Sequence, residues 1–134
     1  MPIEKLPDNI PPEAVSILII DDDRSVREMM YEILSENGFQ CLIAASGAEA
    51  IDLLKSRKGP IGGAIVDLEM RGMDGIQTFR ELRRITQGLK VILMSGYHAP
   101  IQMDLLKDGF AGFLPKPFDI QNLLSIVNRI FLNR

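Results

Sequence analysis

Ile65-Val66-Asp67-Leu68-Glu69-Met70-Arg71-Gly72-Met73-Asp74-Gly75 decides how this chain reads. An apolar, β-branched run ends abruptly on one carboxylate, Asp67, and passes into a loop with a glycine at its centre. Short apolar runs bounded by turn residues are the mark of strands buried on both faces. A polar residue closing such a run sits at the strand's carboxyl end, where α/β sheets bind their ligands. The same pattern recurs along the chain. Residues 15–20 form an apolar run closed by Asp21-Asp22-Asp23, residues 89–94 are followed by Ser95, and residues 110–114 lead to Lys116 between two prolines.

Between these runs the apolar spacing turns helical. Val26, Met30, Ile33 and Leu34 predict a helix over 24–37, with Asp23 as N-cap and Asn37-Gly38 as its stop. Residues 39–44 read as a second strand. Ser46 to Glu49 has the spacing of a capping box opening a helix that runs to about residue 56. Residues 58–63 read as a loop, 64–67 as the third strand, and 74–86 as a helix with Ile76, Phe79 and Leu82 inward and Arg80, Arg83 and Arg84 solvated. A fourth strand over 89–94 precedes a short helix over 100–107, whose Pro100 suits a first turn. The fifth strand covers 110–114. The last helix starts near Asp119 and carries Ile120, Leu123, Leu124, Val127 and Phe131 on one stripe, leaving Ile126 and Leu132 for a partner.

Five strand–helix repeats predict a single α/β domain: a doubly wound, flavodoxin-like sheet of five parallel strands in order 2-1-3-4-5, with five helices on its two faces. The chain has 134 residues, enough to bury a core without disulfides. Residues 1–14, with four prolines, read as a flexible leader, and 15–134 as the domain. A net charge of −3 gives no general attraction for nucleic acid or anionic membrane. No apolar stretch is long enough to span a bilayer, and no signal-peptide pattern opens the chain. The single cysteine, Cys41, reads as a small core residue. A cytoplasmic location is expected.

Asp21, Asp22, Asp67, Ser95 and Lys116 would then converge on one edge of the sheet. Carboxylates gathered this way repel: at ~4 Å and an effective dielectric of ~20 each like-charge pair costs about 4 kcal/mol. A hard divalent cation such as Mg²⁺ offsets that cost. Asp67 could then act as a nucleophile on a phosphoryl group, with Lys116 neutralising the phosphoryl oxygens and Ser95 donating to one of them. Each feature alone has an ordinary structural explanation as a helix cap, surface charge or turn. Their joint placement at one edge favours the site.

The ordered set Ile19-Ile20-Asp21-Asp22, Val66-Asp67 through Asp74-Gly75, Met94-Ser95-Gly96-Tyr97 and Leu114-Pro115-Lys116-Pro117-Phe118 resembles the receiver domain of two-component response regulators. The resemblance implies that Asp67 is the phosphoacceptor. It places Mg²⁺ (or Mn²⁺) on Asp21, Asp22, Asp67 and the backbone carbonyl of Glu69, with Asp22 and Asp67 the direct carboxylate ligands. Lys116 would contact the phosphoryl group, and the Lys116–Pro117 bond would be cis. Ser95 and Phe113 would form the switch, and Glu69 and Tyr97 would tune phosphoryl lifetime. The donor would be a histidine kinase or histidine phosphotransfer protein. The effector face would be helix 100–107, the fifth strand and the last helix, on a monomer or phosphorylation-dependent dimer. The chain would catalyse its own phosphorylation and dephosphorylation without acting on a metabolite.

Two departures from the family pattern stand out: Arg71 where proline is common, and Phe113 where tyrosine is frequent. They leave open a second reading, an interaction module of the same fold that does not depend on phosphorylation. A phosphohydrolase with Glu69 as acid is a third. His98 reads as an exposed cap.

Overall fold

The computed structural model describes residues 16–56, 60–70, 74–96 and 109–132. Strands and helices alternate: β1 (Ser16–Ile20), α1 (Arg24–Glu36), β2 (Gln40–Ala44), α2 (Gly47–Ser56), β3 (Ile61–Asp67), α3 (Gly75–Ile85), β4 (Lys90–Ser95), β5 (Gly112–Pro115) and α4 (Ile120–Val127). The last helix runs on into a π-helical turn, Asn128–Leu132. All strand pairs are parallel and the order is β2-β1-β3-β4-β5. This is the expected flavodoxin-like sheet. Four helices fall among the described residues. The predicted helix 100–107, the leader 1–14, Arg71, Tyr97 and His98 lie outside them.

The strands alternate two apolar faces, so each side of the sheet needs its own helical cover. Leu18, Ile20, Ala64, Val66, Val91 and Leu93 pack with Ala50, Leu54, Phe79 and Leu82 from α2 and α3. Ile17, Ile19, Ile65, Ile92 and Met94 pack with Met30, Leu34, Leu123 and Val127 from α1 and α4. Each fully buried Leu or Ile contributes roughly 1.5–3 kcal/mol of transfer free energy. Local caps fix where the helices begin. Asp23 accepts from the Ser25 and Val26 N–H groups, Asp74 and Gln77 cap α3 reciprocally, and Asp119 accepts from Asn122 N–H. Gly38, at φ 89°, follows the last turn of α1 and takes the left-handed conformation that a stop requires.

Three readings need correction. Residues 61–63 are not loop but the first part of β3. Glycines weaken strand signals because they add no side chain to pack; here Gly63 is small because the Phe131 ring lies on it, and a Cβ there would be 2.2 Å from Cε1. The inward stripe at the end of the chain is Leu123, Ile126, Val127 and Ile130, all buried, so Ile126 is core rather than a partner patch. Ile120, predicted inward, is 53% exposed in the first turn, and Leu124 is half-buried. Cys41 is half-buried rather than fully enclosed, and burial pushes its thiol up to about 11, which keeps it an unreactive packing group.

Among the described residues no helix is long and apolar enough to cross a membrane. The seating of Phe131 on Gly63 gives a direct test of how the chain's end docks. Gly63→Ala should destabilise by about 1–3 kcal/mol in urea denaturation, although alanine is otherwise the better strand residue. Phe131→Ala should add little further loss in the Gly63→Ala background, a non-additivity that a double-mutant cycle reads. A neutral Gly63→Ala would contradict the contact.

Candidate functional site

The parallel ladder extends past the ends of the strands and carries the site residues with it. Asp21 N–H donates to Ala44 O at 3.2 Å, Leu68 N–H to Met94 O at 2.9 Å, and Lys116 N–H to Ser95 O at 2.8 Å. Asp67 pairs in register with Met94, and Ser95 with Pro115. Side chains far apart in sequence are thereby fixed within one carboxyl-edge pocket. Two carboxylates are oriented by the same short turn: Asp21 Oδ1 accepts from Asp23 N–H at 2.9 Å, and Asp67 Oδ1 from Glu69 N–H at 3.0 Å. The start of α3 presses on the same loop. A Cβ at Gly75 would lie 2.3 Å from the carbonyl oxygen of Asp67, so only glycine allows this approach of backbone to backbone.

Lys116 Nζ lies 2.9 Å from Asp21 Oδ2 and 3.2 Å from Asp67 Oδ2. Asp21 is 0% and Asp67 2% exposed, so this ammonium bridges two buried carboxylates. Asp22 is exposed beside them. Asp21, Asp22 and Asp67 each offer an oxygen within 4.8 Å of the others. Among the described residues these three carboxylates form an all-oxygen donor set that suits a small, hard divalent ion. Asp67 is raised from its ordinary value of 3.8 to about 6. Burial is the main cause and the Asp21 charge adds to it; the Glu69 N–H and Lys116 act in the opposite sense. For Lys116, burial acts to lower its pKa. The hydrogen bond and charge of Asp21, with the charge of Asp67, outweigh burial and hold Lys116 above its usual range.

Ser95 is buried at the end of β4, and its hydroxyl donates to Glu69 Oε2 at 2.5 Å. Phe113 stands opposite Leu93 on β5, half-buried against the α2–α3 side of the core. The Lys116–Pro117 bond is cis. Of the predicted set, the structure gathers Asp21, Asp22, Asp67, Glu69, Ser95 and Lys116; Tyr97 lies outside the described residues. Two contacts were not foreseen. Arg27 Nη1 donates to the backbone carbonyl of Asp21 at 2.9 Å. No spacing signals this contact, because its acceptor is main chain. The Glu69 side chain also turns back to the end of β4, accepting from Gly96 N–H at 2.8 Å as well as from Ser95.

A five-stranded parallel sheet in the order β2-β1-β3-β4-β5, with an acidic cluster and a lysine at its carboxyl edge, defines a flavodoxin-like α/β domain. The chain belongs to the response regulator receiver domain family, whose model matches residues 17–128. It is 28% identical over 117 residues to sporulation initiation phosphotransferase F of Bacillus subtilis, covering 84% of this chain and 90% of that protein. It is 32% identical over 118 residues to the sensor kinase CckA of Brucella abortus, covering 87% of this chain and only 12% of the kinase. Among solved structures, a CheY-like receiver domain protein from Methanospirillum hungatei JF-1 is 33% identical with a TM-score of 0.77, covering 90% of this chain and 96% of that one.

The raised Asp67 value has a stability consequence. The folded chain holds the Asp67 proton more tightly than the unfolded chain does. This favourable contribution is full below about pH 4 and is lost as pH rises through about 6. In chelator, Asp67→Asn should therefore be more stable than wild type at pH 8 by on the order of 1 kcal/mol. The gap should close toward pH 4, as read by urea denaturation across that range. A gap independent of pH, or a less stable variant at pH 8, would contradict the electrostatics.

Proposed function

We propose that this chain is a phosphoacceptor receiver that takes a phosphoryl group from a phosphohistidine onto Asp67. The observation that carries this reading is the bridge from Lys116 Nζ to the buried Asp67 and Asp21 carboxylates, with Asp22 alongside. One Asp67 oxygen forms the new P–O bond as the P–N bond to the donor imidazole breaks, and that electron pair returns to the ring nitrogen. Lys116 is already at Asp67 and needs only a small shift to meet the phosphoryl oxygens. Burial keeps Asp67 more basic than a surface carboxylate, which favours it as a nucleophile.

Asp21, Asp22, Asp67 and the Glu69 carbonyl would hold Mg²⁺ or Mn²⁺. Bound there, the ion supplies charge neutralisation for the transferring group. Gly75, Asp23 N–H and Glu69 N–H keep the carboxylates aimed at that position. After transfer, about −1.5 to −2 of new charge and three acceptor oxygens draw the Ser95 hydroxyl toward Asp67. Ser95 O also holds Lys116 N–H, so movement at the end of β4 is felt by β5. Phe113, without a hydroxyl, would report the change by packing alone. The effector face is β5 and α4 with residues 100–107. A histidine kinase or histidine phosphotransfer protein is the donor, a reading supported by the likeness to a sporulation phosphotransferase and to part of a sensor kinase. The chain turns over no metabolite, works in the cytoplasm, and is a monomer or a phosphorylation-dependent dimer.

With Mg²⁺ and acetyl phosphate, the protein should gain one acid-stable, base-labile phosphate, and Asp67→Asn should gain none. Equal incorporation by Asp67→Asn would refute the assignment. Unchanged partner affinity with and without beryllofluoride would favour the phosphorylation-independent module instead.

A further inference from the structure

Glu69 is exposed, yet its carboxylate is pinned at two points. Oε2 accepts from Ser95 Oγ at 2.5 Å and Oε1 from Gly96 N–H at 2.8 Å. A hydroxyl and a backbone N–H converging on both oxygens of an anion is how proteins hold oxyanions, and such charge-assisted bonds are about twice as strong as neutral ones. Lys116 is close by: a Cβ at Gly96 would lie 3.7 Å from Glu69 Oε1 and 3.8 Å from Lys116 Cβ. The backbone of Glu69 is separately fixed, because its N–H donates to Asp67 Oδ1 at 3.0 Å. The side chain alone can therefore leave, and water is next to it.

We propose that the Glu69 carboxylate is a built-in competitor of the phosphoryl group, a latch that occupies the Ser95 and Gly96 donors until Asp67 is phosphorylated. This rests on Asp67 being the acceptor. Release of the latch is driven by the modification itself, since a phosphoryl group of about −2 charge on Asp67 repels a carboxylate anchored two residues away. Swinging Glu69 into water frees the hydroxyl of Ser95 for a phosphoryl oxygen. The latch opposes phosphorylation.

The test is beryllofluoride binding in the presence of Mg²⁺, with the Gly96 amide resonance followed in the same samples. Glu69→Ala should bind beryllofluoride about tenfold more tightly than wild type, and its Gly96 amide should move upfield before ligand is added. Glu69→Asp separates reach from charge. It keeps the negative charge but is one methylene too short to span both donors, so it should bind nearly as tightly as Glu69→Ala. Wild-type affinity in Glu69→Asp or Glu69→Ala, or an unmoved Gly96 amide in Glu69→Ala, would overturn the latch and leave the acceptor reading intact. Failure of all three proteins to bind beryllofluoride would overturn the acceptor reading and the latch with it.

Discussion

Lys116 reaches between two carboxylates that are closed off from water, Asp21 and Asp67, and a third, Asp22, sits at the mouth of the same pocket. Asp21 and Asp67 share that one ammonium, and burial sharpens their mutual repulsion because low polarity strengthens the interaction of like charges. The strain appears in the protonation of the pocket: Asp67 is pushed up to about 6, and Lys116 is held in its charged form. A pocket in this condition favours whatever brings positive charge. It also presents a basic carboxylate beside a fixed cation, as the proposed attack on phosphorus would use.

The fold exists in that form because the sheet is parallel and covered on both faces. The backbone ladder fixes β1, β3, β4 and β5 so that their polar ends share one edge, and the two apolar clusters above and below leave those ends no freedom to drift. Glycine supplies the close approaches. Gly75 lets α3 meet the Asp67 backbone, and Gly63 and Gly112 admit Phe131 and Ile130 from the end of the chain. The same ladder joins the end of β4 to β5, which is the route the proposed displacement of Ser95 would take toward Phe113.

Most of this was legible in the sequence, for physical reasons that differ by element. β1 and β4 read cleanly because a strand buried on both sides must be apolar throughout. Asp21, Asp22, Asp67, Ser95 and Lys116 were visible because each breaks such a run at its end. The caps at Asp23, Asp74 and Asp119 have side chains whose chemistry names their position. The start of β3 was hidden because Gly62 and Gly63 carry no strand signal, and the reason for Gly63 is a ring contributed 68 positions later. The stripe of α4 was misplaced because Ile120 lies in an exposed first turn, while the π-helical turn that follows brings Ile130 inward. Neither the Arg27 contact nor the folded-back Glu69 side chain has a periodicity. Both depend on where a loop and a carbonyl end up once the sheet has formed.

Calorimetric titration with Mg²⁺ shows whether a divalent cation relieves the repulsion of this carboxylate pocket. One saturable site per chain is expected, weakened by about tenfold or more in Asp22→Asn. Binding should also fall away progressively as pH drops through about 6 and Asp67 takes up a proton. Absence of saturable binding at millimolar Mg²⁺, or binding indifferent both to Asp22→Asn and to that pH change, would contradict that relief.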